Sequence, residues 1–265
     1  IQKFAPPMSP VTAQTTATVD NTAPPVFSAA GIVSAASYSQ APVSAGSIVS
    51  VFGTNLAAGT ALAGTVPLPT TLGGTNVKIN GILAPLFYVS PLQINLQVPY
   101  ELAGQSTASM VIEVNGVASQ AIQFNMDTVN PGIFTVNMQG TGAAAILHNA
   151  NGSLVASTNR ATPGEYLQLY VTGLGPLDKL MATGAAAPAP SQGGLYHTVE
   201  TPTVSIGGIT GTVAYSGLAP GFVGLYQINV QVPAGLQPGD NVPVAVIMVA
   251  VQSNTATVAV GSQSP

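Results

Sequence analysis

The chain has 265 residues and a net charge of -4, with 5% charged and 46% hydrophobic residues. Four basic side chains in all (Lys3, Lys78, Arg160 and Lys179) cannot neutralise a run of phosphates, which excludes nucleic acid as a partner. No cysteine is present, excluding a disulfide framework, a thiol nucleophile and a thiolate metal site; the uncharged polar surface lacks the repulsion that keeps proteins apart and permits close packing of many copies.

The chain opens at Ile1 without a charged and apolar leader, and is expected to be the mature form of a secreted protein. Residues 10–25, PVTAQTTATVDNTAPP, alternate as a strand does. Val11, Ala13, Thr15, Ala17 and Val19 share one face; Thr12, Gln14, Thr16, Thr18 and Asp20 share the other. Prolines bracket the run at Pro6, Pro7 and Pro10 and at Pro24 and Pro25, where ladder pairing should stop.

The rest is one pattern read twice. GSIVSVFGTNL from Gly46 matches GEYLQLYVTGL from Gly164, VKINGI from Val77 matches VSIGGI from Val204, and QINLQVP from Gln93 matches QINVQVP from Gln227. VASQAIQF from Val117 likewise matches VQSNTATV from Val251, and an Ala-Pro precedes each QIN strand (Ala84-Pro85 and Ala219-Pro220). Matched positions lie 118, then 127, then 134 residues apart, so the second copy carries extra loop residues at unchanged strand order. Asn80-Gly81 and Asn115-Gly116 sit between apolar flanks as two-residue hairpin turns do, because both residues tolerate positive φ. GAAAPAPSQGG from Gly184 reads as an exposed loop of the second copy. The longest apolar run, Val242 to Val251, is about half the length of a membrane-spanning helix and reads as a buried strand. Short strands at regular spacing predict an all-β fold: two tandem immunoglobulin-like β-sandwich domains, at 28–131 and 132–265, behind an extended N-terminal segment, 1–27.

Chemistry-bearing residues are sparse. The carboxylates Asp20, Glu101, Glu113, Asp127, Glu165, Asp178, Glu200 and Asp240 are scattered singly, without the spacing of an acid/base pair or a calcium loop. His148 and His197 are unaccompanied and read as loop histidines with local hydrogen bonds; the serines lack a nucleophile-elbow pattern. No catalytic residue, cofactor site or metal site is expected. Gln227, Asn229 and Gln231 form one face of a strand whose other face is apolar, the pattern of a half-buried strand, though such amides could also line a sugar groove. Asn151-Gly152-Ser153 fits the N-glycosylation sequon.

The phrases GIVSAASY, APVSAGSIVSVFGTNLA, PLPTTLGGTNVKINGILAPLFYVSPLQINLQVP and GLAPGFVGLYQINVQVPAG, from about Gly31 to about Val260, resemble the Solibacter-type C-terminal domain, a family of modules in secreted and surface proteins of acidobacteria. The resemblance implies an extracellular, all-β pair of immunoglobulin-like or TIG-like modules and brings no catalytic residues with it.

The amino-terminal strand pattern lies outside both copies, and three fates compete: a solvated tail, an extra strand on the first domain, or a strand inserted into a neighbour. Fixing ten residues costs on the order of 10 to 20 kcal/mol of backbone entropy, while a ladder hydrogen bond returns about 0.5 to 1.5 kcal/mol. A single exposed edge therefore does not hold it, and a groove or two-sided pairing is needed. The leading expectation is a subunit of an extracellular, pilus-like filament, a head-to-tail homopolymer joined by donor-strand insertion through Val11, Ala13, Thr15, Ala17 and Val19. The alternative is a cell-surface adhesive module whose partners are surface glycans.

Overall fold

The computed structural model describes residues 23–40 and 42–262; the five expected donor-strand residues, Val11 to Val19, lie outside them. The first copy contributes β1 (Val26–Ser34), β2 (Ile48–Thr54), β3 (Ala61–Leu62), β4 (Thr71–Leu72), β5 (Thr75–Ile79), β6 (Ile82–Leu83), β7 (Leu86–Val89), β8 (Gln93–Gln97), β9 (Thr107–Val114), β10 (Val117–Ala118) and β11 (Ile122–Asn125). The second contributes β12 (Gly132–Ile133), β13 (Ile146–His148), β14 (Tyr166–Thr172), β15 (Thr203–Ile206), β16 (Ile209–Leu218), β17 (Tyr226–Gln231), β18 (Gly239–Met248), β19 (Val251–Gln252) and β20 (Ala256–Val260). The only helical turns among the described residues are two short 3-10 segments, Tyr100–Leu102 and Pro190–Gln192. The fold is an all-β, immunoglobulin-like sandwich architecture, as the strand spacing predicts.

In the first copy two sheets face each other, β1-β2-β8-β7-β3 against β10-β9-β5-β4, with β11 on β9 and β6 on β5. Val51, Val77, Ile79, Leu86, Ile94, Leu96, Met110 and Ile112 fill the space between them with essentially no exposure. In the second copy all strands join into one nine-stranded sheet that folds over its own core. The reason is local. β16 runs unbroken, pairing with β15 through Ile209–Gly211 and with β17 from Thr212 onward. Ala84-Pro85 interrupts the equivalent path between β6 and β7, because proline has no N–H for the ladder.

Register corrects one alignment made from sequence. Tyr88 faces Asn95 and Tyr215 faces Asn229, each just past a bulge that skips one residue. Ala84-Pro85 thus precedes the strand ahead of QIN, whereas Ala219-Pro220 follows it, and the two dipeptides are not equivalent. Six residues separate Tyr88 from Asn95, and thirteen separate Tyr215 from Asn229, so the second copy's longer hairpin lies here.

Both Asn-Gly pairs form the turns expected of them, with φ of 49° and 83° at Asn80-Gly81 and 50° and 86° at Asn115-Gly116. The second copy makes its equivalent turns with Gly207-Gly208 and, unexpectedly, Val249-Ala250, at φ of 46° and 65°. The run from Val242 to Val251 is therefore not one buried strand: it alternates inward and outward along β18, then reverses at an exposed Val249. A β-branched residue in the left-handed region costs roughly 1 to 2 kcal/mol. Replacing Val249-Ala250 by Asn-Gly is expected to stabilise the protein by about 1 to 2 kcal/mol, read as a higher urea midpoint at unchanged slope.

Candidate functional site

The two QIN strands present the same residues to different surroundings. In β17, Gln227, Asn229 and Gln231 are half-buried, as alternation predicts. In β8 all five residues are buried, including Gln93, Asn95 and Gln97. Buried amides require partners. Asn95 Oδ1 accepts from Ser50 Oγ at 2.9 Å and from Gln93 Nε2 at 2.8 Å. Gln97, with no exposed surface, reaches into the second copy: its Oε1 accepts the Gly184 N–H at 2.7 Å, and its Nε2 stands 3.5 Å from the Gly46 carbonyl.

Gln97 lies in a continuous face between the sandwiches. Ala36, Ile48, Phe87 and Tyr88 of the first copy form one apolar cluster with Phe134, Ala145, Leu147, Tyr170, Ala219, Val223 and Leu225 of the second. Ala219, Val223 and Leu225 belong to the longer hairpin, and burying Val223 and Leu225 contributes about 3 to 6 kcal/mol by side-chain transfer. Hydrogen bonds cross the same face: Ile48 N–H to Thr172 Oγ1 at 2.9 Å, Leu68 N–H to the Gly184 carbonyl at 2.8 Å, and Tyr100 N–H to Thr183 Oγ1 at 2.9 Å. Thr183 Oγ1 in turn donates to Glu101 at 2.6 Å. Gly224 sits where a Cβ would press on the Gly46 carbonyl and Ile48. The Ala/Pro loop is a correction to the sequence reading. Only its 190–193 tip is exposed, while Gly184 and Ala187 are buried, because this loop forms part of the contact with the first copy.

Two phenols meet at the edge of this face. Tyr226 is fully buried and donates to the Gly175 carbonyl at 2.7 Å; Tyr100, whose hydroxyl is also buried, stands beside it. Burial pushes both hydroxyls well above the usual tyrosine value. Tyr215 is pushed up to about 12, by burial first and then by the charge of Asp178.

Several of the remaining titratable residues are engaged locally. His148 is not in a loop but in β13, buried, with Nδ1 3.1 Å from Glu165 Oε2 and Nε2 3.2 Å from the Asn159 carbonyl. His197 is exposed and its ring packs edge-on to Tyr215 at 5.1 Å; its backbone N–H donates to Asp178 Oδ1. Lys78 pairs with Glu113 at 3.5 Å and Arg160 with Asp240 at 2.7 Å. Among the described residues no group of three His, Asp or Glu side chains could hold a metal ion, and no helix is long and apolar enough to cross a membrane. Asn151 is exposed, and its Oδ1 accepts from the Ser153 N–H and hydroxyl.

Comparison with known proteins places one domain. Residues 32–126 match the IPT/TIG domain. No curated protein matches the chain. Among solved structures, the mixed-linkage glucan utilization locus SGBP-B of Bacteroides ovatus, in complex with a mixed-linkage heptasaccharide, is 12% identical over 83% of this chain and 43% of that one, with a TM-score of 0.31. Domains 5-6 of the S-layer protein SbsC are 12% identical over 91% of this chain and 100% of theirs, at 0.27; the I9-I11 tandem from titin is 7% identical over 83% and 62%, at 0.23. This chain thus spans under half of the glucan-locus protein and about three fifths of the titin tandem. Scores this low carry no functional weight.

Two measurements check the interface. Gln97→Ala leaves the buried Gly184 N–H unpaired, at a cost of about 1 to 3 kcal/mol, and is expected to lower the melting midpoint by roughly 2 to 12 °C. Alkali supplies the second. Below about pH 10 folded and unfolded chains hold the same phenolic protons; above it the unfolded chain releases protons that buried Tyr100 and Tyr226 keep. Stability therefore falls as pH rises from about 10 toward the raised folded values, and urea midpoints at pH 9 and 11 should show a loss that Tyr226→Phe reduces.

Proposed function

We propose that the protein is a non-catalytic structural unit of an extracellular surface assembly, a pilus-like filament in which copies join head to tail by inserting residues 11–19 of one into the next. The observation that carries this reading is the buried face between the two copies: a unit transmitting load along a polymer needs its halves fixed to one another. A flexible tether would not do this.

The course of the chain supports the same reading. β1 enters opposite Thr54, at the end of β2 away from Ile48, and Ile48 is the residue bonded to Thr172 of the second copy. β20 ends beside Ala161, near the start of β14 and away from Thr172. Chain entry and chain exit of the described residues are thus at opposite poles of the pair. The resemblance of the sequence to modules of secreted proteins favours an extracellular location.

A second reading has one observation of its own. The outer face of the second copy exposes a patch of amides beside Tyr166, with Gln168 bonded to Asn149 at 2.9 Å and Gln227 to Asn229 at 2.7 Å. Amides flanked by an exposed aromatic ring suit a sugar ligand, and saturable binding by monomer on a glycan array would favour an adhesive module. Negative-stain imaging of the full chain and of a chain lacking residues 1–22 separates the readings. The filament account expects fibres from the first and none from the second; fibres from both would refute strand insertion.

A further inference from the structure

The site at which Gln97 receives the second copy is repeated on the second copy itself, where no described residue fills it. Register fixes the comparison. Tyr166 faces Gln231 as Ile48 faces Gln97, and Val232 N–H donates to the Glu165 carbonyl as Val98 N–H donates to that of Ser47, both at 2.9 Å. Gln231 is therefore the counterpart of Gln97, Tyr166 of Ile48 and Ala234 of Tyr100. The amides bond alike: Gln231 Nε2 donates to the Gly164 carbonyl at 2.8 Å, where Gln97 Nε2 stands 3.5 Å from the carbonyl of Gly46. Thr212, which faces Gln231, takes the place of Pro85, whose carbonyl accepts the Gln97 N–H.

What differs is the occupant. In the first copy Gly184 donates its N–H to Gln97 Oε1 and lies so near Pro85 that a Cβ on it would stand 3.0 Å from the ring, while Thr183 Oγ1 accepts the Tyr100 N–H. In the second copy the same position is a groove of about 280 Å³ lined by Gly164, Thr212, Gln231, Pro233 and Ala234. Gln231 Oε1 and the Ala234 N–H have no partner among the described residues. Tyr166 keeps 37% of its surface exposed where the docked Ile48 keeps 1%. The course of the chain repeats as well: Gly261 N–H donates to the Ala161 carbonyl as Asp127 N–H donates to that of Val43, and beyond Asp127 the chain enters the sandwich that docks on Gln97.

We propose that this pole of the second sandwich is a second docking site, and that its occupant is the first sandwich of another copy, presenting loop 57–60. The inference rests on the head-to-tail part of the assembly reading above and names its contact. Leu56 N–H bonds to the Pro91 carbonyl and Ala61 faces Val89, so this loop lies at the end of the first sandwich away from Gln97. Its Ala58-Gly59-Thr60 is as small as the Thr183-Gly184-Ala185 of the filled site. Gly59 stands clear of its own sandwich, with nothing within 4 Å of an added Cβ, and its N–H has no partner among the described residues, so it is free to meet Gln231 Oε1. Val26, exposed opposite Thr54 at the same end, supplies an apolar side chain for Tyr166.

Position selects another copy. Loop 57–60 and Gln231 lie at opposite poles of one chain, so a chain cannot fill its own site. The 183–187 loop of another copy is not available either, since it is engaged on its own Gln97. A contact between unlike poles repeats from copy to copy and stays open unless the rotation closes.

The test uses the full chain with a photo-crosslinking side chain in place of the exposed Ala234, irradiated and mapped by mass spectrometry. The proposal expects linked chains joined from position 234 to residues 54–60, and a severalfold loss of linkage when Gly59→Asp is added, at an unchanged urea midpoint because Gly59 has open space around it. Links from position 234 to residues 1–22 of another chain would overturn the loop as occupant. Fibres in which position 234 links to no other chain would overturn the docking site and leave the assembly reading standing. A native chain that forms neither fibres nor links would remove the assembly reading and this contact with it.

Discussion

The contact on which the rest of the structure depends is the clasp of Gln97 on the second sandwich. Its amide, wholly withdrawn from water, takes the Gly184 N–H and lies beside the Gly46 carbonyl, next to an apolar face that includes Phe87, Tyr88, Val223 and Leu225. A buried amide is favourable only when its groups are met, so the position specifies one docking of the sandwiches rather than a family of them. Apolar burial supplies attraction without direction; the hydrogen bonds of Gln97, Thr172 and Thr183 supply the direction.

Most differences between the copies serve contacts that a lone sandwich would not need. The longer β16–β17 hairpin places Val223 and Leu225 against the first copy, and the longer segment before β15 places Thr183 and Gly184 there. The excursion of the chain between β12 and β13 sets Phe134 and Ala145 in the interface and Ala143 on β20. The first copy keeps the shorter form at each place, and no described residue bridges Gln123 as Ala143 bridges Thr257.

Much of the fold was legible in the sequence, because alternation, Asn-Gly turns and a repeat at domain period each report local geometry. β8 and β17 were placed by the repeated QIN motif, and both Asn-Gly pairs turn as their tolerance of positive φ requires. What alternation does not report is what covers a face. Gln93, Asn95 and Gln97 read like Gln227, Asn229 and Gln231, yet one set is buried and the other half-exposed. The Ala/Pro loop reads as solvated for the same reason, since small residues suit both a surface and a close contact. Val249-Ala250 carries no turn signal at all; the strands on either side impose that turn.

A docked pair of sandwiches makes a mechanical claim: the halves should not come apart before they unfold. Differential scanning calorimetry of the full chain tests it most directly. The account predicts one cooperative transition whose calorimetric enthalpy equals its van't Hoff enthalpy, with both sandwiches melting as a unit. Two separable transitions, each carrying about half the enthalpy, would show that the face between them does not hold, and would contradict the account.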